Sequence, residues 1–422
     1  MSRIRGIAAN ASGTACWAVS GNTLYAIGPT GRRTALGTLL TSRGHVGMQV
    51  GLTQLVIVDG AYGYALDLFT NILTRITAPG WLGSKVVGYL DGYYIFAEPG
   101  TQKVYISAID NALDIDALQT HVVGGSPDLL VAIVTQHREV WLFGASTTEV
   151  WQNTGGDTLS EFALTRNQSA FMQYGCMAAF SAKKLDNAVY WLGQDEQGGC
   201  MVFKGVGYSA QRISTLAVER VIQDAVDDGH DISQAVAYTS QIRGHSVYAL
   251  QIPGAQTTWC YHVAAGKWHE RAEYEDGEFA PHRADYHAYC YGKHIVGGGD
   301  ADTLYLYDPS VNNNAGDILV RGRISPHYSV PQMTRVTYKS FELDCIVGKG
   351  KADGSEARVM LRYSDDGMPP VGTWRTATLG RIGESQARAR FLRCGSARDR
   401  VWEVRCTDDV DFAIVRANIE AQ

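Results

Sequence analysis

Histidine and carboxylate side chains between residues 282 and 302 are the first places where metal chemistry could occur. His282 and His287 flank Asp285, and imidazole and carboxylate groups bind divalent transition metals. The two histidines are five positions apart in a predicted loop, whereas paired histidine ligands on a helix are about three or four apart. Asp300-Ala301-Asp302 could contact calcium, but carboxylates at this spacing also stabilise turns. We therefore expect structural or solvent-exposed roles for these residues, and neither a metal nor a cofactor.

Nucleophilic and phosphate-binding motifs are also missing from the sequence. Gly207-Tyr208-Ser209-Ala210-Gln211 lacks the second glycine of a nucleophile elbow. No glycine-rich phosphate loop follows a predicted strand and begins a helix. Cysteines occur at positions 16, 176, 200, 260, 290, 345, 394 and 406, without a Cys-x-x-Cys pair. Most of them lie in apolar strand patterns, which favours reduced thiols that pack as small hydrophobic groups.

The strongest candidate for a known motif is Ser364-Asp365-Asp366-Gly367, which is followed by Thr373-Trp374. It resembles the Asp-box of sialidases, in which the carboxylate binds the backbone of a hairpin turn and the tryptophan packs beneath it. This is a folding device, so we expect Asp366 and Trp374 to stabilise a hairpin. A glycosidase also needs a positioned pair of carboxylates, or a tyrosine nucleophile beside a glutamate. With a single box and no catalytic set, the sequence predicts a protein that is not an enzyme.

Composition predicts a globular chain built from many short strands. The 422 residues include 46 glycines and 22 tyrosines, which suits strands joined by tight turns. The net charge is −6 and no basic block occurs, so tight electrostatic binding of nucleic acid is not expected. The longest apolar run, at 129–134, is too short to span a bilayer or to form a signal peptide. We expect synthesis in the cytoplasm, without membrane insertion.

Hairpin patterns recur along the chain and indicate its architecture. Trp17-Ala18-Val19 is followed by Gly21-Asn22 and then by Leu24-Tyr25-Ala26-Ile27. Similar patterns begin near residues 55, 94, 140, 189, 247 and 295. They lie about 40 to 55 residues apart, as expected of four-stranded propeller blades. Apolar runs that do not alternate, such as 129–134, are typical of strands covered on both faces. The sequence therefore predicts an all-β protein with a β-propeller of about six to eight blades.

Three further features complete the predicted organisation. Ser214-Thr215 could cap one short helix with apolar residues at 216, 218, 221 and 222, which we expect to end in an acidic loop at 224–231. A kelch-like pattern near Trp268 and Gly297 places tryptophan and glycine between neighbouring blades. After residue 320, prolines and glycines interrupt the strands. We expect residues 1–320 to form the propeller, and residues 321–422 to form a C-terminal β-sandwich-like region or strands that close the ring.

Several segments, in the same order along most of the chain, resemble the tail-hub proteins of short-tailed bacteriophages, also called packaged-DNA stabilisation proteins. The most specific segment is Ser146-Thr147-Thr148-Glu149-Val150-Trp151-Gln152-Asn153-Thr154-Gly155. Others lie at 55–60, 91–96, 138–144, 184–193, 207–215, 361–367 and 396–404. Residues 225–335 match only loosely, and residues 1–50 hardly at all.

The resemblance implies a structural virion protein: a hub, or nozzle, that extends the channel below the portal and its adaptor and retains packaged DNA. It implies a homo-oligomer, a hexameric ring, that contacts the head-to-tail adaptor, bears tailspikes or tail fibres and can contact a plug or needle protein. DNA would pass through such a ring without specific binding. Two alternatives stay open, a cellular β-propeller that serves as an interaction module and, ranked below it, a sialidase-like glycoside hydrolase. A monomer without virion association would favour the first, and turnover of a sialoside would favour the second.

Overall fold

Two compact units make up the chain in the computed structural model, which describes residues 3–155, 162–195, 197–298, 302–329, 334–365 and 372–422. The first unit comprises Met1–Ala272 and Phe279–Asp308, and the second comprises Glu273–Glu278 and Pro309–Gln422. Both consist mainly of antiparallel strands. Within the described ranges, no helix is long and apolar enough to cross a bilayer.

Seven consecutive antiparallel sheets form the first unit, one for each blade of a propeller. Blades 1 and 2 contain β1 (Ile4–Ala9), β2 (Cys16–Ser20), β3 (Thr23–Ile27), β4 (Arg33–Thr38), β5 (Gly47–Val50), β6 (Gln54–Val58), β7 (Gly63–Asp67) and β8 (Leu73–Arg75). Blades 3 and 4 contain β9 (Val87–Leu90), β10 (Tyr93–Ala97), β11 (Lys103–Ile106), β12 (Thr120–Val122), β13 (Leu130–Gln136), β14 (Glu139–Gly144), β15 (Thr148–Asn153) and β16 (Leu164–Met172). Blade 5 contains β17 (Gly175–Cys176), β18 (Lys183–Leu185), β19 (Ala188–Gln194), β20 (Cys200–Val206) and β21 (Ser209–Arg212). Blades 6 and 7 contain β22 (Val236–Ile242), β23 (His245–Gln251), β24 (Thr258–His262), β25 (Lys267–Glu275), β26 (Glu278–Pro281), β27 (Tyr286–Cys290), β28 (Lys293–Gly297) and β29 (Tyr305–Leu306).

The inner strands of the seven blades close a ring. Each of β1, β5, β9, β13, β18 and β22 contacts the inner strand of the following blade, and β27 contacts β1 again. Blades 1 to 4 have four strands each, as the hairpin spacing predicted. The described residues therefore form a seven-bladed propeller, which confirms the predicted fold and its range of blade numbers.

Apolar clusters lie between adjacent blades and explain why the strand runs do not alternate. In β6, Leu55 and Ile57 pack with side chains of blade 1, whereas Val56 and Val58 pack with side chains of blade 3. Each strand thus buries both of its faces, as expected of stacked sheets. A cluster between blades 7 and 1, which includes Cys16 and Cys290, completes the circle.

Glycine and tryptophan residues set the spacing between blades. A Cβ atom on Gly47 would lie 2.8 Å from the carbonyl oxygen of Lys85, so only glycine lets blades 2 and 3 approach this closely. Trp268 on β25 packs against the cluster between blades 5 and 6. Its indole Nε1 donates a hydrogen bond of 2.7 Å to the carbonyl oxygen of Ile213. The predicted position of this tryptophan between two blades is confirmed.

The predicted helix is α1 (Leu216–Asp227), and a 3₁₀ turn at Ile232–Gln234 follows it. Val218 and Ile222 are buried, together with Ala225, but Leu216 is 80% exposed. Thr215 is the N-cap residue and makes no side-chain capping bond. The expected acidic loop was placed too early, because the helix continues to Asp227 before the chain turns. Its buried stripe packs into the apolar cluster between blades 5 and 6, which outweighs the low helix propensity of the aspartates.

Two antiparallel sheets enclose the apolar core of the second unit, a β-sandwich. The first sheet contains β30 (Arg321–Ile324), β31 (Tyr328–Ser329), β33 (Ala357–Ser364), β34 (Arg375–Gly380) and β37 (Asp399–Cys406). The second contains β32 (Val336–Cys345), β35 (Ala389–Leu392), β36 (Ser396–Ala397) and β38 (Ile414–Ala421). Phe341 stacks on Trp402 between the sheets with ring centroids 4.7 Å apart. The predicted C-terminal sandwich is confirmed.

Candidate functional site

A narrow central channel runs along the axis of the propeller. A cavity of about 200 Å³ lies within it, lined by inner-strand residues of six blades. Cavities of about 1060 and 390 Å³ open where the inner strands begin, an end we call the entrance. A cavity of about 680 Å³ opens at the opposite end, the exit. Because ligands bind in concave sites, the channel and its two mouths are the candidate site of this unit.

The entrance gathers charged residues that are far apart in the sequence. Arg3, Arg43 and Lys85 are exposed there, each at or just before the start of an inner strand. The carboxylates of Asp59 and Asp285 line the same cavities. No contiguous block of the sequence shows this cluster. The fold therefore gives the channel entrance both positive and negative side chains, with more positive than negative ones.

Three aromatic side chains narrow the entrance. Phe180 lies in the loop that interrupts the inner strand of blade 5, between β17 and β18, and its backbone bridges to Val236. The ring centroid of Phe180 is 5.1 Å from that of His45. The imidazole of His45 also makes a hydrogen bond with the hydroxyl group of Tyr286. Side chains of blades 2, 5 and 7 thus meet across the channel.

A buried arginine holds the segment that carries Arg43 to this mouth. Arg5, only 3% exposed, donates five hydrogen bonds of 2.7–3.0 Å to the backbone of Gly21, Thr41, Arg43 and Gly44 and to the Thr41 hydroxyl. These bonds use all the donors of a guanidinium group. Burial lowers the pKa of Arg5, although the nearby carboxylate of Asp59 opposes this shift. Arg5 therefore acts as a clamp between blades 1 and 2.

The predicted metal candidates are not brought together. His287 lines the exit, where its Nε2 lies 3.0 Å from Nδ1 of His294, whereas Asp285 lines the entrance. Burial, together with the neighbouring His294, lowers the pKa of His287 to about 4, and burial also lowers the pKa of His294, so both rings are neutral at pH 7. His282 accepts a hydrogen bond at Nδ1 from the backbone of Ala284. In the described ranges, no group of three or more His, Cys, Asp or Glu residues could hold a metal ion.

Of the segment that resembles an Asp-box, the structure describes Ser364 and Asp365. Asp365 forms a two-pronged ion pair with the buried Arg400, with N–O distances of 2.5 and 2.7 Å. The guanidinium carbon also lies over three aromatic rings, at 4.1 Å from Tyr363, 4.4 Å from Tyr338 and 4.9 Å from Trp402. Cation–π contacts and charged hydrogen bonds reinforce each other at such a site. Asp366 and Gly367 lie outside the described residues.

Trp374 is partly buried, and the turn beneath which it was expected to pack, residues 366–371, lies outside the described ranges. The guanidinium groups of Arg362 and Arg405 lie over its ring, at 4.5 and 5.1 Å from the centroid. Both arginines also bind the buried carboxylate of Glu403, with N–O distances of 2.5 Å. The tryptophan therefore covers an ion-pair network on the sheet.

The segment with the most specific family resemblance has structural roles. The Asp128 carboxylate accepts hydrogen bonds of 2.7–2.9 Å from the backbone N–H groups of residues 145, 146 and 147. Glu149, only 2% exposed, accepts hydrogen bonds from Trp151 Nε1 at 2.8 Å and from the backbone N–H of Gly125 at 2.9 Å. Buried carboxylates require such partners. These residues fix the turn and outer strands of blade 4.

The other sequence candidates are parts of ordinary structural elements. Gly207 occupies a hairpin turn between β20 and β21 with φ of 57°, and Ser209 is exposed. Asp231 caps the 3₁₀ turn by accepting a hydrogen bond from the backbone of Ser233. Asp302 is exposed, and residues 300 and 301 lie outside the described ranges. All eight cysteines are free, and six of them are buried.

Comparison with family models identifies both units. The model described as the β-propeller of bacteriophage P22 Gp10 matches residues 2–312. The model described as the β-sandwich of bacteriophage P22 Gp10 matches residues 328–422. No curated protein matched the sequence.

Three solved structures are similar to this chain at low sequence identity. PorZ of the type-IX secretion system of Porphyromonas gingivalis is 12% identical with a TM-score of 0.37, over 73% of this chain and 44% of PorZ. The N-terminal domain of Nup159 is 9% identical with a TM-score of 0.41, over 72% of this chain and 87% of that domain. The Cps50 (Swd1) β-propeller domain of Myceliophteria thermophila is 10% identical with a TM-score of 0.42, over 73% of this chain and 97% of that domain.

Proposed function

The chain belongs to the family of bacteriophage P22 Gp10, a family of structural phage tail proteins, and on this premise we propose that it is the hub, or nozzle, of a short tail. In this position it extends the channel below the portal and its adaptor and retains the packaged DNA. The observation that carries the proposal is that the two family models match in order, over 2–312 and 328–422.

Buried charged groups support a role as a rigid scaffold. Arg5, Glu149 and Arg400 are each at most 3% exposed, and each binds several partners from different parts of its own unit. Removing one partner of a buried charge is strongly destabilising, so such networks hold a single arrangement of the backbone. A hub needs this property because other tail components attach to it.

The size of the propeller channel supports assembly from several copies. Its cavity of about 200 Å³ can hold a small ion or a few water molecules of about 30 Å³ each, but not a DNA duplex. A conduit for DNA must therefore lie between copies arranged about an axis. We propose a closed ring of six copies, formed by contacts between unlike faces of neighbouring subunits.

Charge supports passage of DNA without specific binding. Residues 1–320 contain 20 of the 37 lysines and arginines and 30 of the 43 aspartates and glutamates. A net acidic propeller attracts phosphate groups weakly, because non-specific affinity for DNA comes mainly from cations that neutralise phosphates. The partners proposed for the ring are the head-to-tail adaptor, tailspikes or tail fibres, and a plug or needle protein.

Particles made without this chain test the proposal. They should package DNA but lose it, and the purified chain should restore both DNA retention and infectivity when added to them. An unrelated propeller protein of similar size, added in the same way, is the control and should restore neither. If particles without the chain keep their genomes and their infectivity, the hub assignment is wrong.

A further inference from the structure

Lys183 lies in the propeller channel and has no partner among the described residues. It is the first residue of β18, the inner strand of blade 5, and it lines the cavity of about 200 Å³ together with inner-strand residues of five other blades. Its side chain is half-buried, and its ammonium group makes no hydrogen bond or ion pair with the described residues. Lys184, the next residue, also lines this cavity and the exit, but its side chain is exposed. The channel thus holds the partly buried charge of Lys183, which no described residue balances.

The surroundings of Lys183 are electropositive. Burial lowers the pKa of His45 at the entrance, and the charges of Lys183, Arg5 and Arg3 lower it further. His45 is therefore neutral and adds no positive charge of its own at pH 7. The carboxylates of Asp59 and Asp285 lie at the mouth, among the exposed cations of the entrance, and neither lines the inner cavity.

An enclosed ammonium group is costly unless a counter-charge accompanies it. We propose that the propeller channel binds one small oxyanion, of phosphate or carboxylate type, as the counter-ion of Lys183. The narrow cavity excludes nucleic acid and folded partners, so the ligand enters through the cationic mouth as a free ion. Burial lowers the pKa of Lys183 to about 8 in the absence of such an ion, in agreement with an unpaired charge.

Thermal unfolding of the full chain in phosphate tests this site. At pH 7 and constant ionic strength, replacing chloride by inorganic phosphate should raise the Tm of the wild type in a saturable way, because a ligand that binds only the folded state stabilises it. Lys183→Met should abolish the saturable part of the shift, whereas Lys267→Met, on the exposed strand β25 away from the channel, should leave it unchanged. Acetate in place of phosphate distinguishes a general carboxylate site from one that prefers phosphate.

A variant that keeps the positive charge shows whether phosphate binding depends on that charge. Lys183→Arg should retain the phosphate response, and equilibrium dialysis with radiolabelled phosphate should give about one site per chain in the wild type and none in Lys183→Met. Equal Tm shifts in the wild type and Lys183→Met, or no bound phosphate in the wild type, would overturn the proposal. Because the assay uses the purified chain alone, either result leaves the hub assignment untouched.

Discussion

Replacing Arg5 by alanine should destabilise the propeller more than any surface substitution, because it removes the clamp between blades 1 and 2. The lost guanidinium group supplies five hydrogen bonds, four of them to backbone carbonyl oxygens at 2.7–3.0 Å. The carbonyl oxygen of Gly21 is buried, so it would be left without a donor. The acceptors in residues 41–44 are only partly buried, and water can replace some of their bonds.

The expected cost is about 3–5 kcal/mol. A buried acceptor that loses its donor costs about 1–3 kcal/mol, and each hydrogen bond to a charged group contributes about 1.5–3 kcal/mol. Simple addition over all five bonds would overestimate the loss, because the partly buried acceptors regain water. Arg5→Lys keeps the charge but has one nitrogen in place of the planar fork, so we expect roughly half of the loss. For a unit of this size, the Tm of Arg5→Ala should fall by on the order of 10 °C.

Thermal unfolding of the full chain, combined with hydrogen exchange of the amides at 41–44, measures this effect. Arg43→Ala is the matched control, since its exposed side chain makes no bond to the described residues while its carbonyl oxygen still accepts from Arg5. The control should melt within about 1–2 °C of the wild type. A wild-type Tm for Arg5→Ala, or equal losses in both variants, would refute the clamp.

Three further substitutions have calculable outcomes. In phosphate-free buffer, Lys183→Met should stabilise the chain on the order of 2 kcal/mol below pH 8, allowing for water in the channel. Burial lowers the Lys183 pKa from 10.5 to about 8. The free-energy cost of the buried charge in the wild type should therefore disappear between pH 8 and 10.5, as the lysine of the folded protein loses its proton. A stability difference between Lys183→Met and the wild type that does not change with pH would contradict this. Arg400→Met should cost about 1–3 kcal/mol in urea unfolding of the C-terminal sandwich, because the buried carbonyl oxygen of Cys394 loses its donor, whereas the Asp365 carboxylate is 42% exposed and can regain water; a loss below about 0.5 kcal/mol would count against this network. Trp374→Ala should cost about 2–3 kcal/mol by the same assay, because its ring is partly buried and lies against the guanidinium groups of Arg362 and Arg405; a loss below about 1 kcal/mol would count against this packing.

The propeller could be predicted from the sequence because each blade contains apolar strand runs separated by glycine-containing turns. Runs such as 55–58 are apolar at every position since both faces of the strand are covered, and glycine turns separate them. The number of blades could not be read from spacing alone. Blades 5 and 6 contain five strands each, and α1 is inserted between them, so the interval between repeats varies.

The charged channel could not be predicted by scanning for basic blocks. Arg3, Arg43, Lys85 and Lys183 are separated by tens of residues and meet only because inner strands of different blades surround one axis. Alignment of the blades with each other would have found them, since each lies at or just before the start of an inner strand. The partner of Asp365 was missed for a similar reason. Arg400 lies on β37, 35 positions along the chain, and only the sheet register brings it near.

Imaging of the tail tests the central claim most directly. A cryo-electron microscopy reconstruction of the source particle should contain six copies of this chain below the adaptor, each with a seven-bladed propeller and a β-sandwich, around a central conduit wide enough for a DNA duplex. Particles lacking the chain should show the tail truncated at that level. An unchanged tail in those particles, or a reconstruction without propeller density around the axis, would contradict the account.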